Sequence, residues 1–463
     1  MSEEPRVSKA LSSVDAAWLR MDEPTNRMII NVVFTFDEAV DFNLFRERIE
    51  QRLLRHERFR QRVTESRVPL ATPHWETDVH FDIRAHLHHV ALPAPGDQPA
   101  LEVLVSEQMS APLDHSIPLW QITFVEGYGK GTALIVRLHH CIGDGISLVP
   151  VLLSIMDGME NLVPPIERSH ETTLVPTFVR SAASAFTKTM HAGEMMLNEG
   201  RDLVVHPEHA LEMAKQGAMS AAALGRLLLL PSDPKTVLKG ELGVSKRASW
   251  SKALSLDAVR GAAKRTGGTI NDVMLSVLCG AISRYVTLRG GETDGVTIRA
   301  ICPVNLRGKD IGPMGNHFGL VFVDLPLDDP EPVGRMRRIK SQVDHIKSSP
   351  DAVVALGVLG AMGMASPDLE HLGVEIFTRK ASTLMTNVPG PPTRMSFSGK
   401  PVTSVMVWAP VSGRVGLGVS VLSYAGEVRV GVAADAGLVP DPEQIVVCFE
   451  QEWAHYLETV SRI

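Results

Sequence analysis

Apolar residues recur at helical spacing in several parts of this chain. After Asp41, apolar positions from Phe42 to Leu53 fall on one face and charged positions on the other, which predicts an amphipathic helix. Asp41 is a residue type that caps helix N-termini, so the helix should begin there. A second helix is predicted from Thr269, because Thr269 and Asp272 have the spacing of a capping box ahead of an apolar run.

Other apolar runs are typical of strands. Residues 134–138 follow a glycine and precede a polar cluster, which predicts a strand that ends in a turn. Four further extended runs lie at Val296 to Val304, Leu320 to Leu325, Val402 to Val407 and Val415 to Val432. The chain closes with an apolar stripe of helical period after Asp441-Pro442, which should act as a cap plus first-turn proline. Helices and strands mix in both halves, so the fold class is α/β or α+β.

The character of the sequence changes between the two halves. Pro164-Pro165 opens a segment rich in Ala and Met that ends near Lys246. A composition shift of this kind is typical of a linker between domains. We therefore expect a domain over residues 1–163, a helical linker over 164–246 and a second domain over 247–463.

Composition and charge exclude several classes of protein. The 463 residues include 46 Lys plus Arg and 53 Asp plus Glu, a net charge of −7, and 44% are hydrophobic. The hydrophobic content is in the range of globular domains. The negative net charge argues against the basic surface that a nucleic-acid-binding protein needs. The four cysteines are scattered with no CxxC pair, which argues against a structural zinc site or disulfides and for a reducing compartment.

The sequence carries no sign of export or of a membrane span. Its first residues, Met1 to Pro5, are acidic and lack the basic, apolar start of a signal peptide, so a cytoplasmic location is expected. The longest apolar stretch, residues 352–365, is shorter than the roughly 18 residues that a spanning helix requires.

The cluster His139-His140-Cys141-Ile142-Gly143-Asp144-Gly145 is the most informative chemical feature. It lies between the predicted strand and the apolar helical segment 146–159, where Pro150 predicts a kink. A histidine at such a strand end can accept a proton from a hydroxyl or amine.

Three other interpretations of the cluster compete with this one. A metal site is disfavoured because neighbouring strand residues point to opposite faces and no third ligand stands at a recognisable spacing, so we expect no metal. A serine-hydrolase triad lacks its nucleophile, since no GxSxG elbow occurs. A buried histidine with a purely structural role stays open, although two His, two Gly and an Asp at one turn make it the minority interpretation.

HHCIGDG matches the HHxxxDG motif of the CoA-dependent acyltransferase superfamily. The surrounding chain resembles one branch of it, the wax ester synthase/diacylglycerol acyltransferase family, nearly end to end. The segments that carry this resemblance are Leu11 to Asp15, Pro118-Leu119-Trp120, Asn271-Asp272, Pro303 to Arg307, Gly315-Asn316 and Thr386 to Pro391.

The resemblance implies two chloramphenicol acetyltransferase-like domains with the active site in a channel between them. It further implies transfer of a long-chain acyl group from acyl-CoA to a fatty alcohol or a diacylglycerol. Acyl-CoA is then a substrate, and no cofactor is expected. His140, four residues before Asp144, would be the general base. Because these lipids are insoluble, peripheral contact with a membrane or lipid inclusion is expected, and no contact with nucleic acid.

Roles for the remaining candidates follow from the same resemblance. Asp144 would hold the motif loop, with Arg307 as a candidate partner, and Asn271 would donate to the thioester oxyanion. Capping of the helix by Thr269 and Asp272 alone is the alternative for the Asn271 segment. Substrate-lining or framing positions are His139, Gly145, Trp120, Asn387 and Pro389.

Two alternatives to this activity remain open at the level of sequence. One is an acyltransferase or condensation-type enzyme that uses another thioester donor or another acceptor, such as an amine. The other is a lipid-binding relative without catalysis, which the presence of His140, Asp144 and Asn271 disfavours.

Overall fold

A computed structural model describes residues 8–65, 72–160, 222–306, 316, 318–347 and 349–462. Most of the expected linker and the candidate Arg307 lie outside these ranges. The expected domain boundaries therefore stay predictions.

Eleven helices occur in the described part of the chain. They are α1 (Ser13–Arg20), α2 (Phe42–Arg52), α3 (Gln98–Ser110), α4 (Gly145–Leu153), α5 (222–229), α6 (Leu256–Thr266), α7 (Ile270–Leu288), α8 (Pro332–Lys347), α9 (Asp351–Met362), α10 (Pro367–Thr378) and α11 (Pro442–Ser461). Three short 3-10 turns add to these at Leu53–Arg55, Glu57–Arg60 and Ile83–Ala85. None of the described helices is long and apolar enough to cross a lipid bilayer.

The strands form two large sheets and one small sheet. Those of the first half are β1 (Ser8–Ala10), β2 (Ile29–Phe36), β3 (Gln61–Thr64), β4 (His74–Thr77), β5 (Leu87–Ala91), β6 (Trp120–Tyr128) and β7 (Gly131–His139). Those of the second half are β8 (Lys246–Trp250), β9 (Leu254–Ser255), β10 (Thr297–Asn305), β11 (Phe318–Pro326), β12 (Thr383–Pro389), β13 (Ser396–Phe397), β14 (Lys400–Trp408), β15 (Leu417–Tyr424) and β16 (Glu427–Asp435). The mixed α/β class is confirmed.

Sheet order shows that the two halves are interlocked. One sheet runs β13-β14-β2-β7-β6-β5, the other runs β11-β10-β12-β15-β16-β8 with β9 beside β16, and β1-β4-β3 is separate. Strand β14 comes from the second half of the sequence but pairs antiparallel with β2, with Val405 opposite Phe34. One large apolar core is built from second-half residues alone, whereas the core of the first half also takes in second-half residues such as Phe318, Phe397 and Val405. The first sheet is thus completed by strands from the second half of the chain.

Local signals placed most helix starts correctly. The Asp41 carboxylate accepts the backbone N–H of Leu44 at 2.8 Å, and the capping box of Thr269 and Asp272 forms at α7. The start of α11 is also confirmed, with Asp441 at the N-cap position and Pro442 in the first turn. Only the capping hydrogen bond is absent, because the Asp441 carboxylate accepts from the Tyr285 hydroxyl at 2.6 Å instead.

The long run Val415 to Val432 is two strands and not one. A turn at Ala425-Gly426 joins β15 to β16, and both turn residues have positive φ, +50° and +82°. Positive φ at both central residues is what a two-residue hairpin connection requires. The hairpin places β15 beside β12 in the second sheet.

Strand β7 and helix α4 position the HHCIGDG segment. All nine residues of β7 are buried at the centre of the first sheet, and the strand ends at His139. Helix α4 begins at Gly145 with Asp144 as its N-cap and contains Pro150 before it ends at Leu153. The expected strand-to-turn-to-helix arrangement is confirmed.

Candidate active site

His140 follows the last residue of β7 and is almost completely buried, with 5% of its surface exposed. Its backbone N–H donates to the Met28 carbonyl at 2.7 Å, and its own carbonyl accepts from the Asn316 amide at 2.8 Å. The Trp18 ring stacks on the imidazole with centroids 4.2 Å apart at 24°, and Phe318 packs at 5.6 Å. Backbone hydrogen bonds and two aromatic rings therefore fix this side chain.

Burial determines the protonation state of His140. Loss of solvation disfavours the imidazolium and lowers the pKa of His140 to about 4, although the Asp144 carboxylate opposes the shift. The ring is consequently neutral at pH 7 and able to accept a proton. Its Nδ1 has no hydrogen-bond partner among the described residues, so the arrangement differs from a triad in which a carboxylate binds that nitrogen.

Asn316 joins two segments that are far apart in sequence. Its amide nitrogen donates at 2.8 Å both to the His140 carbonyl and to the Asp15 carboxylate. Asp15 lies in the first turn of α1, whose N-terminus Ser12 caps, and burial raises the pKa of the Asp15 carboxyl. Asp15 and Asn316, which come from two of the quoted segments, thus meet beside the backbone of His140.

His139 points away from His140 into a separate polar cluster. Its Nδ1 accepts from the Cys141 N–H at 3.2 Å, and its Nε2 faces Asp22 Oδ1 at 4.0 Å. Burial lowers the pKa of His139 to about 3. His115 joins the cluster, with Nε2 3.7 Å from Asp22 Oδ2. The expectation that His139 contacts substrate stays a prediction.

Asp22, His115 and His139 are the ligand types of a metal site, with one donor atom from each within 4.8 Å of the others. Sequence spacing missed this group because its members come from three separate segments. Two contacts oppose metal binding: Arg27 already binds Asp22 Oδ2 at 3.1 Å, and the Cys141 N–H on Nδ1 leaves the ring proton on Nε2, where a metal would attach. The absence of a metal stays a prediction.

The side chain of Asp144 forms a hydrogen bond with the backbone of α4. Its Oδ1 accepts the Ser147 N–H at 2.9 Å, as expected of an N-cap, and the residue is 3% exposed. Gly145 is the first helical residue, and a Cβ there would meet no atom within 4 Å. Since Arg307 lies outside the described residues, its proposed pairing with Asp144 is untested.

The second-half candidates form a group of their own. Asn387, at the end of β12, donates from Nδ2 to Asn271 Oδ1 at 3.3 Å. Asn271 lies in the first turn of α7, and Pro389 is the last residue of β12. No described hydrogen bond joins this group to His140, so its part in the active site stays a prediction.

Two apolar cavities adjoin the elements that hold His140. One of about 50 Å³ lies under α4, the turn after Pro389 and strands β2 and β14. The second, of about 80 Å³, lies behind Trp18 under α9 and α10. Its apolar lining includes Leu227, Ile301, Phe322, Val358, Met362 and Phe377.

Comparison with known proteins assigns this arrangement to a family. Residues 11–274, more than half of the chain, match the wax ester synthase/diacylglycerol acyltransferase catalytic domain, and residues 314–455 match the WS/DGAT C-terminal domain. The chain belongs to the wax ester synthase/diacylglycerol acyltransferase family. It is therefore an acyl-CoA-dependent O-acyltransferase.

Individual relatives agree with this assignment. A putative diacylglycerol O-acyltransferase of Mycobacterium tuberculosis is 26% identical over 450 residues, covering 93% of this chain and 86% of the relative. The wax ester synthase/diacylglycerol acyltransferase from Marinobacter aquaeolei has a TM-score of 0.68 at 18% identity, covering 98% of this chain and all of that one. A trichothecene 15-O-acetyltransferase from Fusarium sporotrichioides has a TM-score of 0.61 at 13% identity, covering 98% and 96%. At these identities the two structures show the shared fold.

Trp120 of the acyltransferase lies in the core of the first half. It stacks on His86 with centroids 4.3 Å apart, and its Nε1 donates to the Phe59 carbonyl at 2.9 Å. These contacts make it a packing residue, and its expected place beside the substrate stays a prediction. The tryptophan that stacks on His140 is instead Trp18, which lies three positions after the quoted Leu11 to Asp15 segment.

Proposed function

We propose that this acyltransferase moves a long-chain acyl group from acyl-CoA to the hydroxyl of a fatty alcohol or a diacylglycerol, with His140 as general base. The observation that carries the proposal is the neutral, buried imidazole between Trp18 and Phe318, next to an apolar cavity that Trp18 also lines. A neutral imidazole in an apolar site can accept a hydroxyl proton without competition from bulk water.

The reaction balances with His140 and the two substrates alone. The imidazole takes the acceptor proton while the hydroxyl oxygen bonds to the thioester carbonyl carbon. When the C–S bond breaks, the imidazolium returns that proton to the departing CoA sulfur. Free CoA and an ester are the products, and the proposed reaction uses no cofactor and no metal.

The charge of Asp144 supports the imidazolium that forms midway. Its carboxylate raises the pKa of His140 against the larger effect of burial, although the two groups share no described hydrogen bond. In this proposal Asp144 has two separate roles: its negative charge stabilises the imidazolium, and its side chain caps α4.

Substitutions of Asp144 separate these roles. Asp144→Asn keeps a good capping residue and should leave the free energy of unfolding nearly unchanged, whereas Asp144→Ala should lower it by about 1 kcal/mol. Both variants remove the charge and should lower kcat. Urea unfolding and thiol-release kinetics measure the two effects, and full activity in Asp144→Asn would contradict the electrostatic role.

We also propose that Asn271 donates to the thioester oxyanion. Its Oδ1 accepts from Asn387, which leaves its amide nitrogen to donate, and it lies at the positive end of α7. Capping of α7 by Thr269 and Asp272 does not need Asn271.

Asn271→Ala should therefore lower kcat about fivefold, the value of one neutral hydrogen bond of roughly 1 kcal/mol, because the free backbone N–H groups of α7 remain. The melting temperature should stay unchanged, since the capping box is intact. Steady-state kinetics with a matched Thr269→Ala variant provide the test. Loss of stability with normal kcat in Asn271→Ala would leave only a structural role.

Purified protein with palmitoyl-CoA and either hexadecanol or dipalmitoylglycerol tests the proposed function. Thiol release that depends on the acceptor, together with wax ester or triacylglycerol, is the expected result. Release only with an amine acceptor would favour a condensation-type enzyme. Saturable lipid binding without release would favour a non-catalytic relative.

We further propose that the protein is cytoplasmic and that it contacts membranes or lipid inclusions peripherally.

A further inference from the structure

Exposed apolar side chains are concentrated on one part of the surface. The described residues include twelve large apolar side chains classed as exposed, and half of them lie on α10, just before it or at the end of α5. These six, called the α10 face, are Leu228, Leu229, Met364, Leu369, Leu372 and Ile376. A group of exposed apolar side chains on neighbouring elements marks an interaction site more often than a lone exposed leucine does.

Helix α10 is apolar on two opposite faces. Leu369, Leu372 and Ile376 stand at positions i, i+3 and i+7, so they share one face, and they are 60%, 50% and 43% exposed. Val374 on the opposite face is buried, and together with Phe377 on the flank of the helix it lines the cavity behind Trp18. Packing against the protein thus accounts for the inner face and leaves the outer face without a partner among the described residues.

The end of α5 extends the same surface. The Lys380 ammonium donates to the carbonyls of Leu227 and Leu228 at 2.7 Å, which anchors α5 beside the C-terminal end of α10. Leu227 lines the cavity behind Trp18, while Leu228 and Leu229 project outward. Apolar side chains therefore continue from the end of α5 to the cavity behind Trp18.

We propose that the α10 face docks the enzyme on a phospholipid surface, so that lipid substrate passes to the cavity behind Trp18 without crossing water. The inference rests on the proposed function. A path of apolar side chains from the surface to the cavity is useful only if the substrate is insoluble in water.

The charges near α10 indicate how the contact is made. Arg379 and Arg414 both bind Glu375. The exposed Asp368 in the first turn of α10 supplies a second negative charge, so the cations and anions of this region balance. Docking should therefore depend on burial of apolar side chains among acyl chains and not on attraction to anionic headgroups.

Vesicle flotation tests the proposal with the full-length chain and small unilamellar vesicles of dioleoylphosphatidylcholine. The wild type should float with the vesicles at both 50 mM and 500 mM NaCl. Leu369→Ser/Leu372→Ser/Ile376→Ser should lower the partition coefficient at least tenfold, since three exposed apolar side chains are lost. The matched control replaces three equally exposed residues elsewhere, Val79→Ser/Leu288→Ser/Val447→Ser, and should float as the wild type does.

Kinetics distinguish failure of docking from failure of the proposed function. With dissolved hexanoyl-CoA and butanol the triple α10 variant should turn over within about twofold of wild type, and with vesicle-embedded dipalmitoylglycerol at least tenfold more slowly. A wild type that does not float, or an α10 variant that floats normally, overturns the docking proposal. So does a wild-type dimer in sedimentation that the α10 variant converts to monomer without change in flotation. Absence of thiol release from every wild-type reaction overturns the proposed function instead.

Discussion

Replacement of His140 by Ala should lower kcat for ester formation by about 10²- to 10⁴-fold, the contribution of a positioned general base. The KM for palmitoyl-CoA should change little, because the imidazole acts on the acceptor hydroxyl and the alcohol, not CoA, loses its proton. Free-thiol release from palmitoyl-CoA with hexadecanol measures both constants. The neutral state of the ring at pH 7 follows from burial, which lowers the pKa of His140 to about 4.

Three controls accompany this test. Truncation of a buried ring leaves a space between Trp18 and Phe318, so the variant's melting temperature must be compared with that of His140→Gln, which fills more of the site. Added imidazole should enter that space and restore part of the activity of His140→Ala. His115→Ala, at an exposed histidine of the neighbouring polar cluster, should keep wild-type kcat. Undiminished acceptor-dependent release by a folded His140→Ala would refute the base assignment.

Sequence reasoning placed the motif correctly because its structure is local. The end of β7, the turn that leads into α4 and the capping box at α7 each depend on residues within a few positions of one another. The order of the quoted segments likewise pointed to the family that the comparisons show. Local pattern also sufficed for the mixed α/β class.

The surroundings of His140 could not be predicted in the same way. Asn316 binds the carbonyl of a residue 176 positions away, and Trp18 reaches the imidazole only because α1 packs beside the end of β7. Both lie in or beside segments quoted for the resemblance, but spacing along the chain carries no information about what they contact. The same holds for Asp441, whose partner Tyr285 lies 156 positions away.

Trp18 is a positioning residue in this structure, and its replacement should have the second-largest effect. The indole covers one face of His140, packs against Phe318 and lines the cavity on its other side. Trp18→Ala should lower kcat by about 10²-fold, since a shift of the base by roughly 1 Å can have an effect of that size. Trp18→Phe keeps an aromatic ring over the imidazole and should recover most of the activity.

The pH profile separates positioning from mere stabilisation. Because desolvation is the main reason for the low pKa of His140, water admitted by Trp18→Ala should raise that pKa from about 4 towards the ordinary value near 6.5. A base works only when unprotonated, so the acid limb of kcat/KM should move to higher pH in Trp18→Ala and stay near the wild-type position in Trp18→Phe. A variant that is only less stable would lose active enzyme without moving that limb. An unmoved limb with normal kcat in folded Trp18→Ala would show that the indole does not position the base.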